Sequence, residues 1–231
     1  MIVTDRFVFL HLHKSGGTFV NECLLRFVPE AHEIGYHLPR HLIPPESRSL
    51  PVLGFVRNPW SYYVSWHAFQ SARPQPNALY TIASEQGRLG FKDTVRNVLE
   101  LGSGSARLER LLAEMPTDYV NRGINLPAFA LEPIRDTGLG FYSYLYRYLF
   151  GTHDGRLTVG RLEVLRDELP RLIAGTGLTV SAAMRAYIET AAPRNATGHA
   201  RYTDLYDAEL REQVAERDAS IIARHGYVFG G

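Results

Sequence analysis

One short segment near the start of the chain constrains the fold more than any other. Residues 6–20 read as an apolar strand, a tight loop containing Gly16-Gly17, and a helix. Such a unit presents backbone N–H groups and a positive helix end at its loop. Lys14 stands where the loop begins and is one of only two lysines in the chain, the other being Lys92. Because a lysine beside such a cradle suits phosphate or sulfate oxygens, the segment predicts a site for a phosphate-bearing ligand.

The order of residues in this loop argues against two common phosphate-binding motifs. The nucleoside-triphosphate loop Gly-x-x-x-x-Gly-Lys-[Ser/Thr] places its glycines before the lysine, whereas here Gly16-Gly17 follows Lys14. The dinucleotide pattern Gly-x-Gly-x-x-Gly is also missing. An ordinary strand-to-helix turn with an incidental lysine remains the alternative interpretation.

A second segment supplies a further anion-binding pattern. Residues 53–67 read as a buried strand, followed by a helix with Pro59 in its first turn. Arg57 would lie at the carboxyl end of this strand, where open α/β sheets bind their ligands. Ser65 follows eight residues later, on the helix. An arginine fork and a serine hydroxyl so arranged can hold one phosphate, although each residue alone would more often be an ordinary surface side chain.

Together the two segments resemble the sulfotransferases that use 3′-phosphoadenosine 5′-phosphosulfate (PAPS), most closely the carbohydrate-type branch and its bacterial relatives. The run 14–18, Lys-Ser-Gly-Gly-Thr, resembles their 5′-phosphosulfate loop, and Arg57-Asn-Pro followed by Ser65 resembles their 3′-phosphate motif. Residues 161–169 and the tail from 195 to 229 are similar to later parts of that branch, whereas about 71–138 matches nothing familiar. The loop departs from the family pattern at two positions, with His13 in place of proline and Ser15 in place of threonine.

The resemblance implies a fold, a reaction and a donor site. The implied fold is α/β, a three-layer, P-loop-like parallel sheet flanked by helices, in one domain over 1–231 with a variable helical insertion at 71–138 over the acceptor site. The implied reaction is metal-independent transfer of a sulfuryl group from PAPS to a carbohydrate or other small-molecule hydroxyl, leaving adenosine 3′,5′-bisphosphate. The residues expected to bind PAPS are Lys14, Ser15, Gly16, Gly17, Thr18, Arg57, Ser65, Arg194 and Arg201.

Catalysis by this route needs charge stabilisation on the leaving phosphate and a base for the acceptor hydroxyl. Lys14 is the expected catalytic cation, beside the bridging oxygen. A base that works near neutral pH favours histidine. The carbohydrate-type enzymes place a histidine in a stretch comparable to 35–41, so His37 is the first choice and His41 the second. A structural role for these loop histidines remains the alternative.

Composition adds only broad limits. The chain has 231 residues, 45% hydrophobic and 21% charged, which is typical of a globular domain. A net charge of +1 gives no general attraction to nucleic acid. No apolar run approaches the length of a membrane span and no signal peptide precedes the first strand, so we expect a cytoplasmic protein. His11 and His13 alternate on a strand without a third ligand, so no metal site is expected. The oligomeric state stays open, a homodimer included.

Periodicity predicts strands alternating with helices. Strands are predicted near 6–12, 31–37, 51–57 and 157–162. Helices are predicted near 17–28, 59–71, 91–101, 104–114, 139–150, 163–174, 181–191 and 204–225. The alternation favours parallel βαβ units.

Two other functions remain open on the sequence. A divergent small-molecule kinase of the P-loop kind would transfer phosphoryl from Mg-ATP, with Ser15 as a metal ligand, but no apolar strand here ends in the aspartate that it would need. A nucleotide-binding module without catalysis would keep Lys14 and Arg57 and lack a working base.

Overall fold

The protein is described by a computed structural model that covers residues 1–192 and 201–231. Its five-stranded sheet has the order β3-β1-β2-β4-β5. The strands are β1 (Ile2–Val3), β2 (Val8–Leu10), β3 (His32–Glu33), β4 (Val52–Val56) and β5 (Leu157–Arg161). The four predicted strands are therefore present, all of them shorter than predicted.

The sheet is mixed, which corrects the predicted parallel sheet. Strands β2, β4 and β5 run parallel, as expected for βαβ units. Strand β1 runs antiparallel to both of its neighbours, β2 and β3. A turn of four residues joins β1 to β2, and the Thr4 hydroxyl stabilises it by donating to the Phe7 carbonyl oxygen at 2.8 Å. A strand of two residues leaves too short a pattern to be recognised in the sequence, so this reversal was missed.

The helices follow the predicted positions closely. They are α1 (Gly17–Phe27), α2 (Pro59–Ser71), α3 (Ala78–Ala83), α4 (Phe91–Leu99), α5 (Ala106–Glu114), α6 (Ala128–Leu131), α7 (Phe141–Phe150), α8 (Leu165–Gly175), α9 (Ala182–Thr190), α10 (Ala208–Arg217) and α11 (Ala219–His225). The short helices α3 and α6 were not predicted. Within 71–138 the structure has the helices α3 to α6.

The predicted helix over 204–225 is in fact two helices that meet at Asp218. This residue leaves the helical conformation, with φ −108° and ψ 19°. Its buried carboxylate accepts hydrogen bonds from the Ser143 backbone N–H and the Tyr63 hydroxyl, each at 2.8 Å. These tertiary hydrogen bonds hold the break between the two helices, and no local sequence pattern predicts them.

The chain divides into two compact units. The first comprises Met1–Arg57 and Tyr146–Ala196, and the second Asn58–Leu145 and Thr197–Gly231. The expectation of one domain over 1–231 stays a prediction.

The first unit contains the whole sheet and one main hydrophobic core. Apolar side chains from β1, β2 and β4 pack there with α1, α8 and α9. Leu53 and Phe55 of β4 face this core, so the alternate residue Gly54 faces the other side. The ring of Phe150 packs there so closely that a Cβ on Gly54 would lie 2.3 Å from it. The fold is therefore α/β, with a mixed sheet flanked by helices.

The second unit is helical and rich in buried aromatic rings. Tyr62 of α2 stacks on Tyr142 of α7 with ring centroids 3.7 Å apart, and both side chains are buried. Burial raises the pKa of the Asp218 carboxyl to about 6, although its hydrogen bonds act in the opposite direction. Among the described residues, no helix combines the length and the apolar character needed to cross a bilayer.

Candidate functional site

Two parallel strands deliver the predicted cationic residues to one edge of the sheet. Strands β2 and β4 are neighbours, with Leu10 paired to Gly54. Because their carboxyl ends point the same way, the loops that carry Lys14 and Arg57 leave the sheet at the same edge. The Arg57 guanidinium lies against the first loop, with its Nη1 donating to the Lys14 carbonyl oxygen at 3.5 Å.

The loop between β2 and α1 takes its shape from two left-handed residues. Lys14 has φ 57°, and Gly16, which caps α1, has φ 81°. A side chain on Gly16 would also meet Leu162, since its Cβ would lie 2.6 Å from that residue's Cδ1. Gly16 is therefore needed both for its backbone angle and for the space that it leaves.

Gly17 is a glycine for a different reason. The imidazole of His11, at the end of β2, lies directly over the first turn of α1. A Cβ on Gly17 would lie 1.8 Å from the Cδ2 atom of His11, far inside contact distance. The Gly-Gly pair thus allows the helix to start beneath a buried histidine ring.

The N-terminus of α1 has the features of an anion cradle. The backbone N–H groups at the start of a helix point out of its N-terminal end, where an anion can accept from them. No side chain caps the helix at Gly16, and no acidic residue stands in the first turn. The helix dipole adds positive potential at the same place.

The electrostatics of Lys14 fit an anion site. Burial lowers the pKa of Lys14 to about 8, and the positive charge of Arg57 acts in the same direction. Two cations held together against their mutual repulsion stabilise an anion placed between them. We therefore take Lys14, Arg57 and the N-terminus of α1 as the candidate anion site.

Ser15 and Thr18 differ in their surroundings. Ser15 is buried, and its hydroxyl donates to the His13 carbonyl oxygen at 3.2 Å. Its backbone N–H donates to the Leu12 carbonyl oxygen at 3.4 Å. Thr18 is exposed in the first turn of α1. The structure gives Ser15 a part in shaping the loop, and its contact with a ligand stays a prediction.

His37 is buried in the first unit, and one of its ring nitrogens is held by a backbone hydrogen bond. It is 5% exposed, and its Nδ1 lies 2.6 Å from the His11 carbonyl oxygen. Since a carbonyl oxygen only accepts, His37 Nδ1 carries the hydrogen, which leaves Nε2 with the lone pair in the neutral ring. Burial lowers the pKa of His37 well below its usual value, and the charges of His13 and His11 lower it further.

Three other aromatic rings surround His37. The His13 ring stacks on it with centroids 3.6 Å apart and planes 21° apart. The rings of Tyr36 and His11 pack at 4.0 and 4.2 Å. Sequence reasoning noted His11 and His13 only as a pair on one strand face. The third histidine of the group, His37, lies 26 positions after His11, and no local sequence pattern encodes this contact.

The three histidines do not form a metal centre. Within residues 1–192 and 201–231, no group of three or more His, Cys, Asp or Glu side chains is arranged to hold a metal ion. Stacked rings direct their nitrogens past one another, whereas metal ligands converge on one point.

His41 differs from the other three histidines in its exposure to solvent. It is exposed on a short 3-10 turn, Arg40–Leu42, with its ring 6.0 Å from that of Tyr148. Arg40 anchors the turn through two bonds of 2.9 Å to the Asp154 carboxylate. His41 therefore has access to solvent, whereas His37 is buried.

The remaining predicted ligands belong elsewhere in the chain. Ser65 lies on α2 in the second unit and is buried, and Arg201 is exposed in the same unit. Arg194 lies outside the described residues. The grouping of these three with Arg57 stays a prediction.

A third strand end carries an arginine that the sequence analysis did not assign. Arg161 ends β5 beside Val56 of β4. Its guanidinium lies 3.7 Å from the Glu168 carboxylate, which also accepts from the Arg161 backbone N–H at 2.6 Å. This ion pair already balances the arginine charge, so Arg161 is a weaker anion ligand than Arg57.

Comparison with known proteins assigns the chain to no family, since no family model and no curated protein matches it.

Proposed function

We propose that the protein is a PAPS-dependent sulfotransferase acting on a carbohydrate or other small-molecule hydroxyl. The observation that carries the proposal is the pairing of Lys14 with Arg57 beside the N-terminus of α1. The sequence resemblance assigns the phosphosulfate to the Lys14 loop and the 3′-phosphate to Arg57, and two neighbouring cations fit a ligand that carries two anionic groups. The finer fold assignment, a P-loop-like sheet with a helical insertion over the acceptor site, belongs to the same proposal.

Lys14 and the α1 N-terminus would bind the 5′-phosphosulfate. The ammonium group would sit against the bridging oxygen, and the N–H groups of Gly16, Gly17 and Thr18 would donate to the phosphate. As the S–O bond breaks, Lys14 would stabilise the charge that develops on the leaving phosphate. Binding of the anion also favours the protonated form of Lys14, which offsets the effects of burial and of Arg57.

His37 would accept the proton of the acceptor hydroxyl at Nε2. The bond from Nδ1 to the His11 carbonyl oxygen fixes the tautomer that this step needs. The acceptor oxygen forms a bond to sulfur, the sulfur–oxygen bond to the phosphate breaks, and adenosine 3′,5′-bisphosphate leaves. The hydroxyl proton ends on His37 and passes to solvent after release. His41 is the alternative base.

Arg57 would bind the 3′-phosphate, with Ser65, Arg194 and Arg201 as its proposed partners. Adenosine 3′,5′-bisphosphate carries both phosphates and therefore tests this half of the proposal without turnover.

The kinase alternative receives less support. It needs a hydroxyl on Mg²⁺ at the start of the helix, and the Ser15 hydroxyl donates inward to the His13 carbonyl oxygen instead. A binding module without catalysis shares the anion site and differs only in turnover.

Two measurements separate these functions. Thermal unfolding in excess EDTA should show stabilisation by adenosine 3′,5′-bisphosphate, because a ligand that binds only the native state raises the midpoint. A larger shift with Mg-ATP would favour the kinase. Incubation with labelled PAPS and a panel of sugars, glycolipids and phenols should then transfer label. Binding without transfer to any acceptor would leave the binding module.

A further inference from the structure

His13 lies in the loop between β2 and α1 and has no part in the proposed mechanism. It stands where the resembled loop has proline, directly before Lys14. Its ring is half-buried and lies face to face with that of His37, the centroids 3.6 Å apart. Face-to-face packing of two imidazoles at this distance brings a charge on one ring close to the other.

We propose that His13 is a positioning residue for His37, whose imidazole it holds in place by stacking and keeps neutral for proton acceptance. The inference rests on the proposed function and names a residue that regulates the same site. It assigns His13 no contact with the donor or the acceptor.

The surroundings of His37 explain why one neighbour can have this effect. The His11 carbonyl oxygen fixes one edge of the ring, while Tyr36 and His11 pack beside it. These contacts hold the edges of the ring, and the stacked His13 ring covers its face.

His11, His13 and the Met1 amino group all disfavour the protonated form of His37. The charge of Glu33 raises the pKa of the Met1 amino group, although burial lowers it overall to about 6. Burial and the charge of His13 hold the pKa of His11 well below its usual value. Of the two neighbouring histidines, His11 is buried and His13 is half-buried. A positive charge on His13 would disfavour a proton on the stacked ring of His37.

Two substitutions separate the stacking from the charge. His13→Phe keeps a flat ring on His37 and removes the charge, whereas His13→Gln removes both. In each variant we expect the acid limb of the kcat profile to move about 0.5–1 unit to higher pH, because His37 then protonates more easily. Only His13→Gln should also lower the plateau kcat, by about tenfold, as the orientation of His37 relaxes. The KM for PAPS should stay within about twofold, since a positioning residue does not touch the donor.

His32→Phe is the matched control, because His32 is exposed on β3 of the same unit. It should leave both kcat and the acid limb unchanged. Wild-type acid limbs in both His13 variants, in proteins that unfold at the wild-type temperature, would overturn the proposal.

A second readout keeps this inference separate from the proposed function. The imidazole signals of His37 can be titrated by NMR and assigned by their loss in His37→Gln. Both His13 variants should raise the measured pKa of His37, and an unchanged value would refute the coupling. If the wild type shows no sulfuryl transfer while His37 still shifts, the proposed function fails and the coupling between the two histidines stands.

Discussion

Gly16 and Gly17 are adjacent in sequence but answer different physical demands. Gly16 provides a left-handed backbone, at φ 81°, whereas Gly17 leaves room for the buried ring of His11. A motif search treats the two as one signal. In the structure, one glycine sets the direction of the loop and the other sets the distance between β2 and α1.

Gly17→Ala should destabilise the first unit. Its Cβ would overlap the His11 ring, and overpacking of this kind costs about 1–3 kcal/mol. Gly175→Ala is the control, because no atom lies within 4 Å of a Cβ at that helix end. We expect the control to be neutral or slightly stabilising. Urea unfolding followed by far-UV circular dichroism measures both, and equal midpoints would show that the His11 ring can move aside.

Arg57→Ala should raise the pKa of Lys14 above about 8, because one of the two causes that lower it is removed. Only two lysines occur in the chain, so ¹³C-labelled lysine gives two signals, and Lys92→Arg identifies the second. An unchanged Lys14 titration would show that burial alone sets its pKa.

The same site predicts how ligand binding depends on pH. Lys14 loses its charge as the pH rises through about 8, so affinity for adenosine 3′,5′-bisphosphate should fall over that range. At pH 7, Arg57→Ala should weaken binding by about tenfold or more, the value of a charge-assisted hydrogen bond. Arg185→Ala, on an exposed position of α9, is the calorimetric control. Equal affinities for the two variants would remove Arg57 from the site.

Single residues show both the reach and the limit of sequence reasoning. Lys14 and Arg57 were predictable together because parallel strands end at a common edge, and that rule needs only the strand positions. The stack on His37 was not predictable, because it joins residues on either side of α1 through packing alone. His13 was noted only as a departure from a motif.

At the level of elements, helices were predicted well because apolar spacing and caps are local. Helix α2 is the clearest case, with Pro59 in its first turn and the Asn58 side chain accepting from the Trp60 backbone N–H at 3.1 Å. The failures are short or tertiary. Strand β1 is too short for a pattern, and the break between α10 and α11 depends on Tyr63 and Ser143.

The cap of α2 should matter for binding as well as for stability. Asn58→Ala and Asn77→Ala each remove the side-chain cap of a helix, α2 and α3 respectively, at a cost of about 1 kcal/mol of stability. Asn58→Ala also removes the bond that its Nδ2 donates to the Val228 carbonyl oxygen at 3.1 Å, so it should cost more than Asn77→Ala. Since α2 carries Ser65, we expect only Asn58→Ala to weaken adenosine 3′,5′-bisphosphate binding, by a few-fold. Chemical unfolding and calorimetry measure the two effects. Equal binding by both variants would argue against a ligand contact on α2.

For the whole molecule, the α/β class followed from alternating strands and helices, and the mixed direction of the sheet did not. The division into two units was also not predicted, because it depends on which distant segments pack together. The two units differ in their buried titratable groups, with His11 and His37 in the first and Asp218 in the second.

The buried histidines of the first unit and Asp218 of the second should contribute to acid stability with opposite signs. His67 of the second unit has a pKa lowered by burial, and it opposes the contribution of Asp218. Folded His11 and His37 have lowered pKa values, so below about pH 6.5 the unfolded state takes up protons that the native state cannot. The first unit should then lose up to about 1.4 kcal/mol per pH unit for each histidine. Asp218 has a pKa raised to about 6, so its native state gains a proton first, and this contribution stabilises the second unit between about pH 6 and pH 3.8.

The positions of the tryptophans make this difference measurable. Trp60 and Trp66, the only two tryptophans in the chain, both belong to the second unit. Between pH 7.5 and pH 5, the urea midpoint followed by tryptophan fluorescence should fall less than the midpoint followed by circular dichroism, to which both units contribute. In Asp218→Asn the fluorescence midpoint should fall further over the same interval, because the contribution of Asp218 is lost. Parallel shifts of both signals at every pH would contradict this assignment.

The contact between His11 and Gly17 also has an evolutionary consequence. Because the His11 ring over the start of α1 leaves no room for a Cβ at position 17, the residue that is tolerated at position 17 depends on the residue at position 11. Randomising position 17 alone should return glycine, whereas randomising positions 11 and 17 together should admit alanine or serine at 17 wherever 11 has become small. Descendants of such a lineage would show covariation between a strand end and a loop glycine, with the lysine between them unchanged.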